Sequence, residues 1–134
     1  MEAVARGCRD AQGYNTGIAI RRSLAKRNPW ADAEVQAVSW KERLLKLVEM
    51  GDAYIFLDGA TGTLNELFFV WEMTNKKLLH KPILILGKRL HALVRFLKKD
   101  VSLKIPENLC LVTSIPQALT VLKKTGLRSG KTER

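Results

Sequence analysis

The sequence predicts an α/β protein with a doubly wound, mostly parallel sheet of about five strands and helices on both faces. Three observations predict it. Short apolar runs alternate with stripes of helical period along the chain of 134 residues. Those runs are continuous instead of alternating in and out, as strands covered on both faces require. A hydrophobic content of 46% supplies an ordinary core for one domain.

Each element has its own warrant. Met1, Val4, Cys8 and Ala11 recur at helical spacing, and Gly13 follows as a C-cap. Tyr14 to Ile20 reads as a strand, ended by the basic cluster 21–27 and by Asn28-Pro29. A second strand, 34–38, leads into a helix from Trp40 to Met50 with the stripe Trp40, Leu44, Leu47 and Val48. Ala53 to Leu57 has strand length and stops at Asp58-Gly59. The longest helix is expected over Thr63–Leu79, followed by the strand Ile83–Leu86, a helix over Leu90–Lys99, the strand Leu109–Val112 and a last helix over Ser114–Lys124. Residues 1–124 read as a single domain and 125–134 as a loose basic tail.

Composition removes several classes. The apolar run Leu67–Trp71 is far short of the ~18 residues of a spanning helix. Glu2 and the missing apolar stretch argue against a signal peptide. Cys8 and Cys110 lack the number and spacing of a disulfide framework and fit free thiols in a reducing cytoplasm. The net charge of +10 is uneven: residues 28–75 hold three bases against eight acids, whereas 76–104 hold nine bases against one acid. No basic run carries interleaved aromatics, so charge alone gives thin support for a nucleic-acid partner. His80 and His91 lack ligand-spaced partners and are expected at surfaces, so no metal site is read. Trp30, Trp40 and Trp71 are read as packing residues, with Trp40 able to border a base pocket.

The 63–79 helix carries more apolar residues than one sheet can cover. Leu64, Leu67, Phe68, Trp71, Asn75 and Leu78 form the core stripe, and Phe69, Val70 and Met73 add surface on other sides. A homodimer formed through this helix is expected.

Chemistry is expected at the turn Asp58-Gly59-Ala60-Thr61-Gly62-Thr63-Leu64-Asn65-Glu66. In doubly wound sheets ligands bind beyond the carboxyl ends of strands, where small residues let backbone N–H groups meet an anion at a helix N-terminus. A phosphate suits Gly59, Ala60, Thr61, Gly62 and Thr63. A ligand-free reading also stands, because Thr63-Leu64-Asn65-Glu66 matches a capping box. Neither the Walker loop nor the dinucleotide fingerprint is present.

Gly59-x-x-Gly62-Thr63-x-x-Glu66 after a strand resembles the Pro-Gly-Gly-x-Gly-Thr-x-x-Glu signature of the Lonely Guy (LOG) family. Trp40-Lys41-Glu42-Arg43-Leu44 stands where that family has Met-x-x-Arg-Lys, and Arg43 precedes Glu66 by the family's interval of 23 residues. Residues 1–7, 81–87 and 112–119 also run as in the family. Asp58, Ala60 and Leu44 depart from the two motifs. Family members carry a strand, a helix and a second strand ahead of the point matching Met1, so the resemblance implies that this N-terminal part is lacking.

The resemblance implies a Rossmann-like fold and a cytoplasmic nucleoside 5′-monophosphate phosphoribohydrolase that needs no metal or redox cofactor. Glu66 would stabilise positive charge on the ribose or position water, and Arg43 would hold the phosphate or the departing base. The partner would be a nucleoside monophosphate or another phosphorylated small molecule. The lysine-decarboxylase label borne by such proteins finds no Schiff-base lysine marked out here. The alternative is a module of the same fold that binds a nucleotide or phosphate-bearing cofactor without turnover.

Overall fold

The computed structural model describes residues 2–21 and 27–126. Most of the basic cluster and the end of the basic tail therefore lie outside the described residues. The architecture is α/β and Rossmann-like, with five strands and five helices among the described residues. All strand pairs are parallel, and the strands form two sheets of two and three strands. By backbone contact the chain divides into two compact units, Met1–Met50 and Gly51–Arg134.

The first unit comprises α1 (Glu2–Asp10), β1 (Thr16–Ile20), β2 (Ala33–Ala37) and α2 (Trp40–Met50). Thr16 pairs with Ala33 and Ile20 with Ala37. The end of α1 differs in detail from expectation. Gln12, with φ of 59°, takes the left-handed position, and Gly13 follows it, donating to the Cys8 carbonyl at 2.8 Å. Glycine is needed at 13 for close approach, because a Cβ would lie 2.8 Å from the Cys8 sulfur. Asn15 joins the entry to β1 to the entry to β2: its side-chain amide donates to the Trp30 carbonyl at 3.1 Å and to Asp32 at 2.8 Å.

The second unit comprises β3 (Tyr54–Phe56), α3 (Thr61–Asn75), β4 (Ile83–Ile85), α4 (Lys88–Leu97), β5 (Leu109–Leu111) and α5 (Ile115–Lys124). The strand order β3-β4-β5 puts the most apolar strand in the centre. Ile83, Leu84 and Ile85 are all fully buried. Leu84 packs with Val112 and with Ala118, Val121 and Leu122 of α5, while Ile83 and Ile85 point to the opposite face by strand alternation. β4 is thus covered on both sides. Outer strand β3 buries Tyr54 and Phe56 but leaves Ile55 50% exposed.

α3 begins at Thr61 and ends at Asn75, two residues earlier and four residues earlier than the periodicity predicts. Lys77 ends it from the left-handed region, with φ of 60°. Lys77 N–H donates to Thr74 and Leu78 N–H to Met73, both at 2.9 Å, the paired bonds of a Schellman motif. Leu78, expected in the core stripe, is therefore outside the helix and exposed. Two neighbours exchange roles as well: Val70 is 1% exposed in the core, whereas Phe68 is 42% exposed with its ring 5.9 Å from that of Trp71. Trp71 is buried, and its indole N–H donates to the Lys104 carbonyl at 2.8 Å. His91, expected at a surface, is buried with Nε2 at 2.7 Å from the Ile85 carbonyl, which satisfies its ring. Trp40, expected to pack, is exposed. Among the described residues no helix is long and apolar enough to cross a membrane.

Candidate functional site

Parallel strands place their following turns at one edge of a sheet, and in the second unit those turns lead into α3, α4 and α5. α3 starts from Ala60, whose φ of −92° and ψ of −160° are extended, with no side-chain cap. The N–H groups of Thr63 and Leu64 both donate to the Ala60 carbonyl, at 3.0 and 3.3 Å. Thr61 and Gly62 are exposed in the first turn. A Cβ on Gly62 would meet nothing within 4 Å, so the space beside its Cα is open. Gly59 is a glycine for a different reason: a Cβ there would lie 2.1 Å from the Thr63 hydroxyl. Neither glycine has a positive φ. The alanine at 60 therefore costs the turn no conformational freedom that it uses.

Thr63 is not the N-cap of this helix, because the helix has already begun two residues before it. The capping-box role expected for Thr63 and Glu66 is thereby overturned. Glu66 lies in the second turn, half-buried, one helical turn beyond Gly62 and Thr63 on adjoining faces. Capping boxes of a shifted form, in which the returning side chain reaches the residue before the N-cap, occur elsewhere. At α2 the Glu42 N–H donates to the Ser39 hydroxyl at 3.1 Å, and the Glu42 carboxylate accepts from Val38 N–H at 2.7 Å. That bond and the Lys46 ammonium hold the Glu42 carboxyl below its ordinary value. At α5 the Gln117 N–H donates to Ser114 at 3.3 Å, and the Gln117 carbonyl accepts from Thr113 N–H at 2.7 Å.

The N-terminus of α4 is closed by a residue from another turn. Asp58 accepts from Leu90 N–H at 3.1 Å and from Arg89 N–H at 3.2 Å. Burial acts to raise the Asp58 carboxyl; the N–H donors of Leu90, Arg89 and Lys88 and the Arg89 charge outweigh it and hold it below its ordinary value. The acid that stands at the motif proline thus has its charge engaged by a neighbouring helix. Of α2, α3, α4 and α5, only α3 starts without a side-chain cap among the described residues.

Gly59, Ala60, Thr61, Gly62, Thr63 and Glu66 are thus gathered at the first two turns of α3, in the second unit. Arg43 belongs to the first unit. It is half-buried, its Nε donates to the Ile18 carbonyl at 3.0 Å, and its guanidinium stands 5.9 Å from the Trp40 ring. The sequence reading missed Arg89, whose Nη2 donates to the Gly59 carbonyl at 2.8 Å. No local pattern marks a contact across 30 residues. A cleft of about 250 Å³ near the entries to β4 and β5, lined by Thr74, Asn75, His80 and Asn108 among others, contains none of these residues. Among the described residues no three His, Cys, Asp or Glu side chains form a metal-binding group.

No curated protein matches this sequence. A family model described as "Possible lysine decarboxylase" matches residues 1–124. The chain belongs to this family, the LOG family whose motif its α3 turn carries.

Proposed function

We propose that the chain binds a nucleoside 5′-monophosphate at the first turn of α3 and hydrolyses its N-glycosidic bond, releasing free base and ribose 5-phosphate. The observation that carries this reading is the uncapped start of α3, open at Gly62, with Glu66 one turn further on. Backbone N–H groups there and the helix dipole favour a phosphate. The Thr61 hydroxyl adds a donor.

Each side chain then has a distinct task. Breaking the bond from C1′ to the base nitrogen leaves oxocarbenium-like charge on the ribose, which a carboxylate stabilises. Glu66 supplies that carboxylate from a rigid helix and can orient the attacking water. Arg43, fixed by its bond to Ile18, supplies a cation for the phosphate or the departing base. Two chains pair through α3, whose exposed Phe68 needs a cover.

The test is incubation with AMP and with an N6-modified adenosine monophosphate, followed by chromatography. The native chain should release free base, and Glu66→Gln should lower the rate at least about 100-fold. Ligand-induced stabilisation without product would replace the enzyme by a binding module. Neither stabilisation nor product would sink the site altogether.

A further inference from the structure

Three ties join the turn after β3 to the turn after β4. The Asp58 carboxylate receives the N–H groups of Arg89 and Leu90. The Arg89 guanidinium returns a bond to the Gly59 carbonyl at 2.8 Å. Gly87 passes so close that a Cβ on it would lie 2.5 Å from the Asp58 backbone nitrogen. The bonds run in both directions between the two turns, so neither can shift without breaking contacts of the other.

Apart from the bonds to the Ala60 carbonyl, the turn that gains from this brings no side-chain anchor of its own. Gly59 brings no side chain, Ala60 brings no capping oxygen, and α3 starts without a side-chain cap. An anion site made of N–H groups needs them fixed beforehand, since ordering them at the moment of binding subtracts from affinity. We propose that Asp58 and Arg89 are positioning residues that lock the Gly59–Ala60 peptides onto the first turn of α4 and so hold the Thr61 and Gly62 N–H groups in place. Neither side chain needs to touch the ligand. The benefit to phosphate binding rests on the reading of α3 given above; the ordering of the turn does not.

A purely structural role for Asp58, as a cap for α4, predicts lower stability and nothing else. The two roles separate by backbone ¹⁵N relaxation and by titration with AMP on the native chain, Asp58→Ala and Arg89→Gln. Arg89→Gln leaves the backbone bonds to Asp58 available, so it serves even where Asp58→Ala folds poorly. The lock predicts that order parameters at residues 59–62 fall from the rigid value of about 0.85 to below about 0.6 in both variants, with Leu84 unchanged. AMP affinity should weaken about tenfold in both. Unchanged order at 59–62 in Arg89→Gln would overturn the lock. Loosened order in a chain whose native form has no affinity for AMP would keep the lock and remove the phosphate site instead.

Discussion

Arg43 donates from Nε to the backbone carbonyl of Ile18 at 3.0 Å, tying the first turn of α2 to the middle of β1. A lysine cannot reproduce this bond, because all its donors sit at the tip of the side chain and none at the Nε position. Arg43→Lys should therefore cost about 1 kcal/mol in urea unfolding. It should also lower the rate of AMP cleavage about 100-fold or more. Full activity with reduced stability would confine Arg43 to holding β1.

The two glycines of the α3 turn should respond in opposite ways to the same substitution. Gly59→Ala places a Cβ against Thr63 and should destabilise by about 1–3 kcal/mol. Gly62→Ala enters open space within a helix and should stabilise by about 0.5 kcal/mol. The same methyl should weaken AMP binding, since it narrows the open space beside Gly62 that the proposed phosphate site uses. Thermal melts with and without AMP read both effects, and unaltered affinity in Gly62→Ala would place the anion elsewhere.

Asp58 predicts a particular acid sensitivity. Its folded carboxyl is held below the unfolded value, so the unfolded chain binds more protons in the window between the two. Stability from this group is complete above the unfolded value, about 4, and is lost as pH falls through the folded one. Melting temperatures from pH 6 down to pH 2 should fall less steeply in Asp58→Asn than in the native chain. Parallel curves would show that the α4 bonds are worth the same with a neutral acceptor.

Phe68 tests the pairing of two chains. Light scattering should report a dimer, and Phe68→Glu should convert it to a monomer, because a buried interface aromatic commonly contributes about 2 kcal/mol or more. A native chain that stays monomeric at high concentration would remove α3 as an interface.

Regular elements were legible because their warrants are local. The α2 bounds match the Trp40–Met50 stripe, and four of the five strands fall within predicted runs, β2 starting one residue early at Ala33. Two capping boxes were equally local, at Ser39 with Glu42 and at Ser114 with Gln117, and their spacing alone would have found them. The box read at Thr63 and Glu66 failed because sequence spacing cannot say where a helix begins, and here Ala60 begins it unaided. The α3 end was hidden for a related reason: a lysine adopts the left-handed state that glycine normally advertises. Asp58 and Arg89 were illegible at any range of pattern, since their partners lie 30 residues and more along the chain and meet only once β3 and β4 are paired.

The placement of the tryptophans gives each compact unit its own optical reporter. Trp71 is buried in the second unit with its indole tethered to the Lys104 carbonyl, so it should emit at short wavelength and move to the red when that tether opens. Trp30 in the first unit is only half-buried, with its indole donating to Glu2 at 3.1 Å, and Trp40 stands in solvent. Chains that keep Trp71 alone or Trp30 alone would therefore report the melting of one unit each. Coincident transitions would mean that residues 1–124 unfold in a single cooperative step; separated ones would mean that the two halves are independent folding units.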